Sequence, residues 1–287
     1  DFTSLFTATV IMGLGNGMVE AVCNPLVASM YPREKTKMLN RFHLWWPAGI
    51  VIGSLVGLIL MDIMNLNWQL MVASLFVPLA LYGYLLIGQT FPQTERVTLG
   101  VNKKEALKSL TKPLFLFIAF CMLLSASTEL GTTQRIESLL RETGVNALLI
   151  LAFINGIMIF GRAFAGPIAT KINTTGMLFA SSIFAFIGLQ MLANTEVFNV
   201  FLAASVFAIG ITFFWPTTLA YISENIPESG ALGMSIIGGL GMLSVSLILP
   251  LMGRFLDDSI STDVIQTISV LPFILIILYG ILYLKQR

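Results

Sequence analysis

Of 287 residues, 56% are hydrophobic and only 11% are charged, and the mean hydropathy is +0.87. A water-soluble domain covers its surface with roughly 25% charged residues, so this composition excludes one and leaves lipid to cover much of the chain. The formal net charge of +1 speaks against a nucleic-acid partner.

A helix that crosses a bilayer needs about 20 mainly apolar residues. In chain order the stretches that qualify are 5–30, 44–61, 68–90, 113–131, 146–169, 175–193, 197–222, 230–252 and 263–284, which predict nine membrane helices. Internal Gly and Pro are tolerated in such helices because neighbours satisfy the freed backbone groups.

The first span contains GLGNGMVEAVCNPL at 13–26, with Glu20 in its middle. A carboxylate at mid-membrane costs about 2.5–3.5 kcal/mol on insertion scales, so it faces a watery cavity or a partner. A site that binds and releases a proton is one reading; a protonated carboxyl that glues helices together is the other. Asn24 lies one turn further along the same face. It offers either an amide to a solute hydroxyl or a cap for the carbonyl freed by Pro25.

The second span carries Gly49, Gly53 and Gly57 on one face, a ridge that predicts close approach of another helix,. His43, the single histidine, precedes it near the basic loop and reads as a local cap or pair rather than a proton relay. Trp45 and Trp46 follow within a turn and fit an interfacial aromatic belt, as does Trp68 at the start of the third span,.

Glu129 lies in the fourth span, about 24 Å along the helix from Pro113,. The polar run Thr132, Thr133, Gln134, Arg135 follows it. A helix that loosens there would turn Glu129 and Gln134 to a cavity; the plainer reading pairs Glu129 with Arg135 at the surface. In the seventh span, Phe213, Phe214 and Trp215 could stack on the apolar face of a solute ring or pack between helices,. Cys23 and Cys121 sit in apolar spans and read as packing residues, and no residues have metal-ligand spacing,.

Lys and Arg set the orientation. Arg33, Lys35, Lys37 and Arg41 follow the first span; Arg96, Lys103, Lys104, Lys108 and Lys112 follow the third; Arg162 and Lys171 flank the turn after the fifth; Lys285 and Arg287 end the chain. The other side holds Arg135, Arg141 and Arg254. The basic side is expected to be cytoplasmic, with residue 1 outside and the C-terminus inside.

The longest polar stretch, 92–112, contains KKEALKSL, a short amphipathic helix, and divides the spans three before and six after,. Asn24-Pro25 and Trp215-Pro216 lie about 190 positions apart, as do Gly49 and Gly239,. This spacing suggests two parallel six-helix halves, a plan known among transporters. On that plan residues 1–91 form a partial N-terminal bundle, 92–112 a cytoplasmic central loop and 113–287 a C-terminal six-helix bundle. Three further helices, roughly 80–100 residues, are expected ahead of residue 1.

The run Glu20, Asn24-Pro25, Tyr31-Pro32, Leu39-Asn40, His43 and Gly49 resembles helices four and five of major facilitator superfamily permeases. Within them it is most similar to the fucose–galactose–glucose proton symporter group and its relatives. Glu129, GRAFAGP at 161–167, FFWPTTLAYISE at 213–224 and LPLMGRFLDD at 249–258 extend the likeness over the chain as helices four to twelve. His43 and Trp46 depart from the Gln and Asn at the start of helix five in those symporters.

The resemblance implies an all-α membrane protein of the superfamily fold, with nine of twelve helices present. It implies a secondary transporter working by alternating access, with proton-coupled uptake of a sugar or related small polar solute. Glu20 is the proton-coupling candidate. Asn24, Glu129, Gln134, Phe214, Trp215 and Trp46 are the solute-binding candidates. Arg162 and Glu224 are expected to pair as a cytoplasmic gate. The partners implied are the solute, protons and the lipid bilayer of the cell (inner) membrane, for a monomer without cofactor or metal. An intramembrane enzyme would need a nucleophile–base pair or metal ligands at membrane depth, which the sequence does not offer. A facilitator or exporter of another organic solute, or a non-transporting relative, is the alternative.

Overall fold

The computed structural model describes residues 1–140, 143–196, 198–258 and 261–286. Arg141 and Arg287, used above for orientation, lie outside them. Among the described residues every regular element is helical. The long helices are α1 (Phe2–Met30), α2 (Lys35–Ile63), α3 (Trp68–Leu86), α4 (Pro113–Gln134), α5 (Ala147–Ala163), α6 (Ala165–Leu192), α7 (Val200–Asn225), α8 (Pro227–Asp257) and α9 (Ser261–Gln286).

Local chemistry sets the ends of these helices. The Asn146 side chain accepts from the N–H groups of Leu148 and Leu149, and Asn199 does the same for Phe201 and Leu202. Each therefore satisfies donors that the first helical turn leaves free. Pro113 opens α4, where its missing N–H costs nothing,. The span expected over 146–169 is interrupted at Phe164 and continues into the first part of α6. The chain breaks at Asn173, with φ 55° and ψ 176°. Asn tolerates this left-handed backbone, and its Oδ1 accepts from the Gly176 N–H to start the next helix,. The boundary predicted between 169 and 175 is this break.

In the polar stretch, Lys103–Ser109 forms the short helix expected from KKEALKSL. Asn102 and Glu105 close it as a reciprocal capping box,.

The buried apolar core belongs almost wholly to α4–α9, and from the first 91 residues only Ala28 and Leu39 join it. α6 packs against α7 and α9. At the α6–α7 crossing Gly188 rests on the backbone of Phe207, and Gly210 on the backbone of Ala185. A side chain at either glycine would collide with main chain.

The ridge predicted at Gly49, Gly53 and Gly57 does not work this way. The first two meet nothing within 4 Å, and the third meets only the Met71 side chain. Small residues permit a close approach without causing one, and the nearest neighbours of α2 lie on its other faces. α1 packs against α8, the start of α2 against α7 and α6, and Trp45–Gly57 against α5. The buried positions of α1 and α2 form one strip: Asn24, Pro25, Ala28, Lys35, Thr36, Leu39, Asn40, His43, Pro47 and Ala48.

Candidate functional site

A cavity of about 470 Å³ lies between α1 and α8, with α2, α4, α5 and α7 contributing its remaining wall. That volume is in the range of small-molecule sites. Gly13, Asn16, Gly17, Glu20 and Asn24 line one side, and Met234, Ser235, Gly238, Gly239 and Met242 the other. His43, Trp46, Glu129, Arg162 and Trp215 complete it.

The α1 side is a hydrogen-bonded chain. Asn24 Nδ2 donates to Glu20 Oε2 at 2.6 Å, an i,i+4 pair,. With the amide N–H₂ turned to the carboxylate, Asn24 Oδ1 is left to accept. His43 Nε2 lies 2.8 Å from it, so this network assigns the imidazole proton to Nε2,. The Asn24 side chain thus serves Glu20 and His43 and does not cap the carbonyl freed by Pro25.

The remaining wall is organised by Arg162, which is 1% exposed. Its three nitrogens each donate to a different element. Nε donates to the Thr212 carbonyl at 2.8 Å, Nη1 to the His43 carbonyl at 2.9 Å and Nη2 to Glu129 Oε1 at 2.9 Å. Two of these acceptors were created by proline. Within a helix the carbonyl of residue i−4 bonds the N–H of residue i, and proline has none. Pro47 leaves the His43 carbonyl without its helical donor, and Pro216 leaves that of Thr212 in the same state.

Glu129 is 3% exposed and sits in a π-helical turn, Ser127–Gly131, where α4 widens. One of its oxygens takes Arg162, while Oε2 has no protein partner. That oxygen is also closed off from the cavity, so the carboxylate is held behind the wall by Arg162. Breaking this buried ion pair from one side costs about 3–5 kcal/mol, because an uncompensated charge stays behind. The site therefore presents one carboxylate, an ion pair in its wall and the rings of Trp46 and Trp215 to whatever occupies it.

Toward the start of α2 the helices close on one another. Glu224 Oε1 accepts from the Thr36 N–H at 3.2 Å and from Thr36 Oγ1 at 2.7 Å, and its Oε2 accepts from Thr174 Oγ1 at 3.0 Å. A carboxylate is favoured at this first turn by the helix dipole. Lys35 Nζ donates to Glu95 Oε1 at 2.6 Å and to the Ser223 carbonyl at 2.8 Å. Asn40 Nδ2 donates to Thr217 Oγ1 at 3.1 Å.

The proton-coupling candidate Glu20 lines the cavity, as do Asn24, Glu129, Trp46 and Trp215 of the residues expected to bind solute. Phe214 and Gln134 do not. Phe214 is fully buried in the apolar core, about 100° around α7 from its neighbour Trp215,. Gln134 is exposed, beyond the π turn that carries Glu129.

The expected Arg162–Glu224 pair is not made. Arg162 lies in the cavity wall with Glu129, while Glu224 closes on Thr36 and Thr174. Of the two readings of Glu129, the pair with Arg135 is not made: Glu129 pairs with Arg162 at the cavity, and Arg135 Nη2 donates to the Leu249 carbonyl at 3.3 Å. His43 is buried at the cavity rather than placed at a basic surface, and Trp46 faces the cavity while Trp45 is 67% exposed.

Sequence reasoning missed Asn16 and Ser235, small polar residues in apolar helices, and the Thr212 carbonyl. The positions of Pro47 and Pro216 were the signal that could have found both carbonyls held by Arg162.

The family model described as Major Facilitator Superfamily matches residues 1–244. Searches of curated proteins and of solved structures return no match.

Proposed function

We propose, from the premise that this chain belongs to the major facilitator superfamily and is a membrane transporter, that it is a secondary active transporter coupling proton entry to uptake of a sugar or related small polar solute. The observation that carries this reading is the cavity that Glu20, Asn24, Glu129 and Arg162 line together. Glu20 is the proton site: a carboxylate in an apolar helix, open to the cavity, gains or loses its charge as water enters. Asn16 and Ser235 supply hydrogen-bonding groups for hydroxyls, and Trp46 and Trp215 supply flat apolar faces,.

On this reading residues 1–91 and 113–287 are the two moving bodies, joined by 92–112. The contacts of Glu224 with Thr36 and Thr174, and of Lys35 with Glu95 and Ser223, form the gate between them. The abundance of Lys and Arg beside this gate supports a cytoplasmic position for it. The cavity is then closed toward the cytoplasm.

The test is uptake of labelled L-fucose, D-galactose and D-glucose into vesicles holding the full-length protein, with and without an imposed inward proton gradient. Accumulation of one of them that collapses with the gradient is expected. Equal uptake with and without the gradient would make the protein a facilitator and remove the role given to Glu20. Uptake of none of the sugars would remove the solute assignment.

A further inference from the structure

His43 is the single histidine of the sequence and is buried, at 5% exposed. It is held at both ends. Arg162 Nη1 donates to its carbonyl at 2.9 Å, and its Nε2 lies 2.8 Å from Asn24 Oδ1. Asn24, also buried, turns its Nδ2 to Glu20 Oε2 at 2.6 Å. Among the described residues no other side chain bonds Glu20. The imidazole therefore stands at one end of a three-residue line, with the cavity carboxylate at the other.

We propose that His43 is a positioning residue for the proton site: through Nε2–H it fixes the Asn24 amide so that the nitrogen, and not the oxygen, faces Glu20. The inference rests on the reading of Glu20 as that site. A primary amide has a donor face and an acceptor face, and a half-turn of its last torsion exchanges them. The Glu20 anion can only accept, so it needs the donor face. Protonated Glu20 carries an O–H, which the acceptor face would bind. Turning the amide, however, would set its N–H₂ against the imidazole N–H, donor against donor in a buried place. Reversing the whole line would move the imidazole proton to Nδ1, which has no hydrogen-bond partner among the described residues. A partnered N–H would be traded for an unpartnered one. His43 thus withholds from the protonated form a partner that it secures for the anion, and Glu20 releases its proton more readily than Asn24 alone would allow.

The remaining groups near the line do not replace this effect. Arg162 and Glu129, from α5 and α4, pair with each other, and Cys23 follows Glu20 on α1. α7 and α8 bring Trp215, Met234 and Ser235 to the cavity and no charge.

The experiment follows protonation of Glu20 by infrared spectroscopy of the full-length protein, as the carboxyl band that Glu20→Gln removes. His43→Leu is expected to raise the pH at which this band is half-developed by about one unit, a tenfold tighter hold on the proton and the worth of one buried hydrogen bond. His43→Gln, whose amide nitrogen stands as many bonds from the backbone as Nε2, is expected to return to within about 0.3 units of the parent. In an Asn24→Ala background His43→Leu is expected to add nothing, because the effect travels through the amide. An unchanged midpoint in His43→Leu, or shifts from Asn24→Ala and His43→Leu that add, would overturn the proposal. Nitrogen chemical shifts of labelled histidine, with His43→Gln assigning the resonance, are expected to put the ring proton on Nε2. A proton on Nδ1 would overturn it as well, and this arm uses the parent, so it stands if His43→Leu does not fold. A parent in which no such band develops would remove the proton site itself, whereas a band whose midpoint ignores His43 removes only the positioning role. Neither result depends on which solute is carried.

Discussion

Helices α1–α3 and α4–α9 are similar in composition and differ in how they are held. In α4–α9 buried residues are mostly apolar and interlock in one core. In α1 and α2 the buried strip is mostly polar or proline, and its contacts are hydrogen bonds to the other helices. α3 has no buried residue. An apolar core comes apart only at the full cost of its packing. A typical hydrogen bond has a net worth of about 0.5–1.5 kcal/mol, because water replaces the lost partner. A junction made of such bonds separates and re-forms cheaply when water has access to it. The proposed alternating access predicts movement at this polar junction and none within the apolar core of α4–α9.

The comparison would break if the tightest packing proved dispensable. Gly210 rests on the backbone of Ala185, and backbone cannot rotate away as a side chain can. Gly210→Val should therefore cost more than the about 1–3 kcal/mol of ordinary overpacking. The expected result is no monodisperse protein by size-exclusion chromatography in detergent. A variant that behaves like the parent would mean that α6 and α7 do not cross where the structure places them.

The next largest effect is functional. Glu20→Gln keeps an acceptor for Asn24 Nδ2 at similar size and removes the exchangeable proton. The variant should fold, with a melting temperature within about 4 °C of the parent. It should lose accumulation against a gradient and retain part of its counterflow, which needs no net proton movement. Loss of folding would make Glu20 structural glue, and unchanged pH-driven accumulation would place the proton elsewhere.

Much of this was legible in the sequence, for reasons that differ by feature. Nine apolar stretches announce themselves because a bilayer fixes their length; among the described residues eight form helices long and apolar enough to cross one, and the fifth forms a shorter helix of 17 residues. Glu20 and Glu129 stand out because a charge in such a stretch is expensive wherever it points. Partners were not legible. Arg162 chooses Glu129 over Glu224 because of where α4 and α7 come to lie beside α5, and no local pattern records that. The choice between Phe214 and Trp215 depended on about 100° of helical rotation. The glycines at 49, 53 and 57 looked like a contact, whereas Gly188 and Gly210, with no such pattern, make one.

A smaller effect tests the polar half of the comparison. Glu224→Ala removes three hydrogen bonds at once, from the Thr36 N–H, Thr36 Oγ1 and Thr174 Oγ1. If the junction is built to part, stability should hardly change and access should. Asn40 is fully buried behind these bonds. A cysteine placed there, in protein lacking Cys23 and Cys121, should react with a maleimide about tenfold faster in Glu224→Ala than in the parent. A melting temperature lower by more than about 4 °C, at an unchanged labelling rate, would show a structural bond and not a gate.

The smallest effect concerns the open face of α2. Gly53 meets nothing within 4 Å, so a methyl group there collides with nothing in the structure. Glycine within a helix costs about 1 kcal/mol relative to alanine, through the backbone freedom it loses on folding. Gly53→Ala should therefore raise the melting temperature by about 1–3 °C. Transport should be unchanged. The same substitution separates the two readings of the glycine ridge. If α2 needs this face for close approach of another helix at some stage of the cycle, the methyl group holds that helix off, and transport falls while the resting protein is stabilised. A gain in stability with full transport leaves the face to lipid. A gain in stability with lost transport would show that the ridge is used in a state other than the one described here, and would give α2 a second moving contact besides its polar strip.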